Sequence, residues 1–234
     1  MVRLTGYKEA VMQMLDLLIW LVAYVLGSLP FSQIIAQRVA GVDLWRVGEG
    51  NIGARNLLHM TNNPWGFMAA FLDVGKGTAA YLIALSYAPT GWGLYGASFA
   101  ALAGHMFPIW LGFRGGKGLA VVCGYLLLLM PGPVFLGGAV FAIAYWVTRG
   151  FNRSATVGLI TMIFSPRLFG LPVRDTYLAL GLLVGVGLKK AFDLPHERHV
   201  WDEHPWPGTD AQPGFLSPPT PTNGSVTEEK RSVG

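Results

Sequence analysis

Gly104-His105-Met106-Phe107-Pro108, leading into Phe113-Arg114-Gly115-Gly116-Lys117-Gly118, lies where one long apolar run ends and another begins. A second stretch of the same character, Gly48-Glu49-Gly50-Asn51-Ile52-Gly53-Ala54-Arg55-Asn56, stands earlier in the chain. Polar, flexible backbone beside a bilayer is costly unless its N–H and C=O groups find partners. Glycines let successive backbone N–H groups point into one concavity that holds an anion. Arg and Lys beside such a concavity add charge and donors. Together the loops and the apolar runs predict a membrane protein that handles phosphate at the membrane surface.

The rest of the chain agrees on the membrane. It is 52% hydrophobic and 13% charged, with a mean hydropathy of +0.44. A soluble domain carries about 25% charged residues. Seven apolar segments are candidate spans: 12–29, 64–88, 93–110, 119–130, 134–148, 155–168 and 177–188. The second is read as broken at Asp73-Val74-Gly75-Lys76-Gly77. Several are shorter than the ~20 residues of an ordinary span, and small residues such as Gly96, Ala97, Ala100, Ala101 and Gly104 suit close helix packing. The expected fold is all-α, a polytopic membrane protein of about seven transmembrane helices with cytoplasmic Gly-rich loops. The first segment is read as a retained span rather than a cleaved signal.

Lys and Arg distribute unevenly between the two sets of loops. Arg38, Arg46, Arg55, Arg114, Lys117, Arg149, Arg153, Lys189, Lys190 and Arg198 fall on one side, and Arg3, Lys8, Arg167 and Arg174 on the other. Cytoplasmic loops carry the excess of positive charge, which places the Gly-rich loops in the cytoplasm. The net charge of +4 then reflects orientation and phosphate handling, not nucleic-acid binding. Residues 1–202 form the expected membrane domain. Residues 203–234, with Pro205, Pro207, Pro213, Pro218, Pro219 and Pro221, read as a disordered cytoplasmic tail.

Gly48-x-Gly50-x-x-Gly53 matches a dinucleotide fingerprint in letters only, since a transmembrane helix and not a strand precedes it. Gly116-Lys117 lacks the upstream glycine and the Ser/Thr of a Walker A loop. What remains is an anion site or a pair of tight turns. Asp73 and Lys76, three apart on one helix face, are a structural ion pair or a substrate contact. His105 is a packing residue or a base. His196, His199 and His204 cluster near acidic residues between Pro195 and Pro205, without a supporting cysteine for a metal site.

Four stretches, Gly27-Ser28-Leu29-Pro30-Phe31, Gly48 to Asn56, Asp73 to Gly77 and Gly104 to Gly118, resemble in order and spacing the bacterial acyl-phosphate:glycerol-3-phosphate acyltransferases of the PlsY type. The resemblance implies a bacterial plasma-membrane enzyme whose site faces the cytoplasm. Its partners are acyl phosphate, glycerol 3-phosphate and membrane lipid, with no metal, other cofactor or nucleic acid. Lys117 and His105 are the candidate catalytic residues, and the resemblance implies that no protein base is needed. Gly50, Asn51, Gly53, Arg55, Asn56, His59, Lys76, Arg114, Gly115 and Gly116 hold substrate or phosphate.

The chain departs from the family pattern at three positions. Glu49 stands where the family has Ser, Arg55 where it has Thr, and His59 where it has a phosphate-binding Arg. Glu49 would repel a phosphate unless Arg55 or Arg46 pairs it. The family's C-terminal His-and-Asn motif is not recognisable around His196 to Trp206. These departures keep a second reading open, a re-purposed relative that binds a phosphorylated lipid or metabolite. A transporter is the third, disfavoured because the polar motifs lie at one membrane face.

Overall fold

The computed structural model describes residues 2–61, 63–204 and 206. Its elements are helices α1 (Val2–Gly27), α2 (Phe31–Ala40), α3 (Ala54–Met60), α4 (Asn63–Tyr87), α5 (Gly91–Met106), α6 (Leu119–Leu129), α7 (Pro131–Thr148), α8 (Phe151–Phe164) and α9 (Val173–Glu203), with 3-10 turns at Ile109–Leu111 and Pro166–Phe169. No strand occurs among the described residues. Each of the seven apolar segments falls on one of the longer helices. Four stretches are long and apolar enough to cross a membrane, Gly6–Ala40, Pro64–Tyr87, Gly91–Leu111 and Pro131–Thr148, and Leu119–Leu129 is a shorter apolar helix.

The burial pattern inverts that of a soluble protein. Leu17, Leu18 and Leu21 on α1 and Phe135, Ile143 and Trp146 on α7 face outward, while Asp16, Asp73, Lys76, Lys189 and Asp193 are buried. This is the arrangement a hydrocarbon solvent demands, with polar side chains turned inward and paired. The molecule is an integral membrane protein.

Glycines set the helix seams. A Cβ on Gly27 would lie 2.0 Å from the Ala101 carbonyl oxygen, and one on Gly104 would lie 2.1 Å from that of Tyr24. These two positions bring α1 and α5 into backbone contact. Gly77 meets the Val121 carbonyl at 2.1 Å and Gly124 meets that of Val74 at 2.0 Å in the same sense, which joins α4 to α6. Small residues that let backbones approach are the main packing device between membrane helices.

One expectation is corrected here. Helix α4 runs unbroken through Asp73-Val74-Gly75-Lys76-Gly77. The pair at i and i+3 satisfies itself within the helix, with Lys76 Nζ 2.9 Å from Asp73 Oδ1. Gly77 serves the seam rather than a break. The third segment, 93–110, falls within the stretch Gly91–Leu111, in which α5 ends at Met106 and a 3-10 turn follows Pro108.

Both ends of the bundle are tied. At one end Thr90 caps α5 by accepting from the Gly93 N–H at 3.2 Å and donates to the Asp16 carboxylate. Tyr95 donates to Asp175 at 2.8 Å beside it. The other end carries both Gly-rich stretches, α2 and α3, the α7–α8 turn and the last turns of α9. The expected disorder of the tail concerns, beyond Glu203, His204 and Trp206, residues outside the described set.

Candidate active site

The loop of residues 48–53 is built around Asn56. Its amide nitrogen donates toward the carbonyls of Leu44, Val47 and Asn51 at 3.0, 2.9 and 3.1 Å. Its Oδ1 accepts from the Glu49 N–H at 3.0 Å. Asn56 is fully buried, so it shapes the loop from inside. Gly48 and Gly50 take left-handed backbone, with φ of 61° and 57°, which L side chains rarely adopt. Gly50 packs under Val200 and His196 of α9.

The second Gly-rich stretch packs against both α5 and the first loop. The Gly116 N–H donates to the His105 carbonyl at 3.1 Å. A Cβ on Gly116 would lie 2.2 Å from His105 Nε2 and 2.7 Å from the Ile52 carbonyl oxygen. A Cβ on Gly115 would lie 2.1 Å from the His105 carbonyl oxygen. The two loops placed on one side by sequence therefore touch. The Gly116 N–H is committed to the protein, which leaves the side chains to supply most of the charge at this face.

Beneath the loops lies a buried polar hub. Asp73 and Lys76 are 2% and 5% exposed. Lys76 Nζ also donates to the Leu29 carbonyl at 2.9 Å. His105 Nδ1 stands 3.7 Å from Asp73 Oδ1. These groups line a cavity of about 10 Å³ together with Ser28, Pro30 and Gly116, space for one water. A cavity of that size admits no phosphate ester. The hub thus ties α1, α4, α5 and the second loop at one point, and His105 is enclosed within it.

The cations above the hub are mostly engaged. Arg55 pairs with Glu49 at 3.0 Å, as the charge argument required, and donates to Asn152 Oδ1 at 3.1 Å. Its guanidinium lies 4.6 Å from the centre of the Phe151 ring. Arg46 pairs with Asp43 instead. Lys117 Nζ lies 2.9 Å from Glu197 Oε1. Arg114 is exposed and makes no ion pair among the described residues. It borders an open groove of about 520 Å³ with Trp45, Arg46, His196, His199 and Glu203.

Sequence reasoning missed the share taken by the end of α9. Pro195 and Pro205 bracket the three histidines in sequence, yet the helix continues through Pro195 to Glu203. His196 stacks on Trp45 at 4.1 Å and reaches its carbonyl at 2.9 Å. Beyond the helix the Gly48 N–H donates to the His204 carbonyl at 2.9 Å. Trp206 donates from Nε1 to Asn56 Oδ1 at 3.1 Å, and its ring stacks on His59 at 3.6 Å. Burial and then the Arg55 charge push the His59 imidazole below the ordinary histidine value, with Glu49 pulling the other way. His59 therefore stands neutral at neutral pH. The buried Val200, four residues after His196, is the signal in the sequence that this segment packs.

The sequence model described as glycerol-3-phosphate acyltransferase matches residues 17–191. The chain belongs to the glycerol-3-phosphate acyltransferase family. A relative of that name from Zymomonas mobilis is 34% identical over 185 residues, covering 72% of this chain and 84% of the relative. One from Rhizobium meliloti is 46% identical over 138 residues, covering 57% and 65%. The fold is similar to two crystal structures of PlsY, described as an integral membrane glycerol 3-phosphate acyltransferase. The glycerol 3-phosphate form has a TM-score of 0.70 at 29% identity, covering 83% of this chain and 96% of that one. The lysophosphatidic acid form has a TM-score of 0.68 at 28% identity. The matched region takes in every stretch on which the resemblance was drawn, the hub and both loops, and stops before His196 on α9.

Proposed function

We propose that this member of the acyltransferase family moves an acyl chain from acyl phosphate to glycerol 3-phosphate at the cytoplasmic face of a bacterial plasma membrane. A hydroxyl oxygen of glycerol 3-phosphate attacks the acyl carbonyl carbon. The new C–O ester bond forms, the bond from that carbon to the phosphate oxygen breaks, and the hydroxyl proton leaves with inorganic phosphate. The product is lysophosphatidate. Phosphate is a good leaving group, so the protein's task is to hold two phosphates and orient the hydroxyl.

The observation that carries this reading is the convergence of all four motif stretches at one end of the bundle. There Lys117, Arg114 and Arg55 stand above the Asp73–Lys76–His105 hub. In this reading Lys117 is the catalytic cation, meeting a substrate phosphate and the charge that develops as it leaves. Arg114 and Arg55 contribute to the same anion field. Asn51, Gly50, Gly53 and Asn56 shape the first loop, and Gly115 and Gly116 let the second approach α5. Lys76 and His105 act through the hub as positioning residues. The Lys/Arg asymmetry supports the cytoplasmic orientation.

The test is turnover of a long-chain acyl phosphate with glycerol 3-phosphate by purified protein in detergent or lipid, with Lys117→Ala beside it. The parent should release phosphate and form lysophosphatidate. Lys117→Ala should lose on the order of a hundredfold in kcat/KM, as removal of a preorganised electrostatic contact does. The second reading, a re-purposed binder, rests on the Arg55–Glu49 and Lys117–Glu197 pairs, which neutralise two cations at this face. A folded parent that binds acyl phosphate yet never transfers the chain would favour it.

A further inference from the structure

Lys117 has its counter-ion delivered from far along the chain. Glu197 Oε1, on α9, lies 2.9 Å from Lys117 Nζ, with the two side chains only 13% and 21% exposed. That oxygen is buried without a hydrogen-bond partner among the described residues, so the Lys117 charge stands against it as an ion pair and not as a formed hydrogen bond. Neither partner is free to drift. Lys117 follows Gly115 and Gly116, whose backbones are wedged against His105 and Ile52. Glu197 rides on a helix held by His196 on Trp45 and by Val200 over Gly50.

A carboxylate and a phosphate oxygen set beside the same ammonium repel each other, so either one weakens the hold of the other. We infer that Glu197 is a specificity-determining residue: it occupies Lys117 in the empty site, and a substrate phosphate binds only by displacing it. The inference rests on the reading that Lys117 meets a substrate phosphate. Its consequence is selectivity by charge. A doubly charged phosphate monoester displaces a single carboxylate readily. A singly charged ligand such as glycerate gains little from the exchange. Glu49 opposite Arg55 repeats the arrangement on the first loop.

The experiment compares the parent with Glu197→Gln, which keeps the shape and removes the charge. Three readouts are taken: KM for glycerol 3-phosphate, inhibition by inorganic phosphate, and calorimetric binding of inorganic phosphate and of glycerate. In Glu197→Gln, KM should fall and inorganic phosphate should bind more tightly, each by about three- to tenfold, the size of a partly shielded ion pair. Glycerate binding should become detectable, and kcat should stay within about twofold, since the change acts on the ground state. An unchanged or raised KM together with unchanged phosphate binding in a folded variant overturns the inference. If Glu197→Gln does not fold, Glu197→Ala removes the same charge, and the same fall in KM and the same gain in phosphate binding are expected. A parent that binds phosphate but transfers no acyl chain sinks the functional reading, and the phosphate titration still decides the role of Glu197. A parent that binds no phosphate sinks both.

Discussion

The α4–α6 seam and the loop face above it are both built on glycine, and they use it differently. In the seam, Gly77 and Gly124 bring one helix backbone onto another at distances no side chain tolerates. The seam is held by backbone contact and by the Thr78 hydroxyl, which donates to the Gly124 carbonyl at 3.0 Å. On the loop face, Gly115 and Gly116 also press backbone to backbone, but they present Lys117 beside Glu197 and lie next to the Arg55–Glu49 pair. Ion pairs between half-shielded side chains are worth little net energy and exchange partners readily. The seam fixes where the face is. The face stays replaceable, which is where a family can change its ligand while keeping its fold.

The widest gap between the two regions should appear in a pair of substitutions on α4 and α6. Gly124→Ala places a Cβ 2.0 Å from the Val74 carbonyl oxygen, whereas Gly75 has nothing within 4 Å of its Cβ position. Gly124→Ala should cost roughly 1–3 kcal/mol or more, because backbone has to part. Its yield of monodisperse protein and its melting temperature should drop. Gly75→Ala should melt at or above the parent temperature, since alanine favours a helix by about 1 kcal/mol over glycine. Equal melting temperatures for the two would erase the contrast drawn here.

A smaller effect is expected at the face. Combining Glu49→Ser with His59→Arg removes the carboxylate that holds Arg55 and adds a permanent cation where the neutral His59 stands. KM for glycerol 3-phosphate should fall by about fivefold, in the range of one exposed ion pair, with kcat moving less. A double variant with a higher KM would mean that the loop is tuned to a different acceptor.

The smallest concerns pH. The folded-state value of His59 is depressed, so the unfolded chain takes up the proton first as pH falls. The contribution of His59 to stability is therefore present above its ordinary value of about 6.5 and lost as pH drops through and below it. The stack with Trp206 should loosen over that window. Its difference fluorescence against Trp206→Phe should report the change, and His59→Phe should flatten it. A signal that is flat in the parent as well would remove His59 from the titration.

The helices were legible in the sequence because hydrocarbon length and hydropathy act locally. Every apolar segment became a helix, and the two Gly-rich stretches sit at the same end, as the Lys/Arg pattern placed them. The Arg55–Glu49 pair was legible too, because an acid at a phosphate loop needs a nearby cation. The interruption read at Asp73 to Gly77 was not there, since a pair three residues apart satisfies itself within one helix turn and glycine in a membrane helix serves packing.

Composition, charge asymmetry and motif order thus determined by themselves that this chain is a helical membrane protein with its basic loops gathered on one side. Which acid meets which cation was decided only by tertiary structure. Glu197 lies 80 residues beyond Lys117, and Trp206 lies 150 beyond Asn56. No local rule of propensity or spacing reaches across such a separation. The meeting happens because α9 docks along the bundle and continues through Pro195, and that docking depends on shape rather than on pattern.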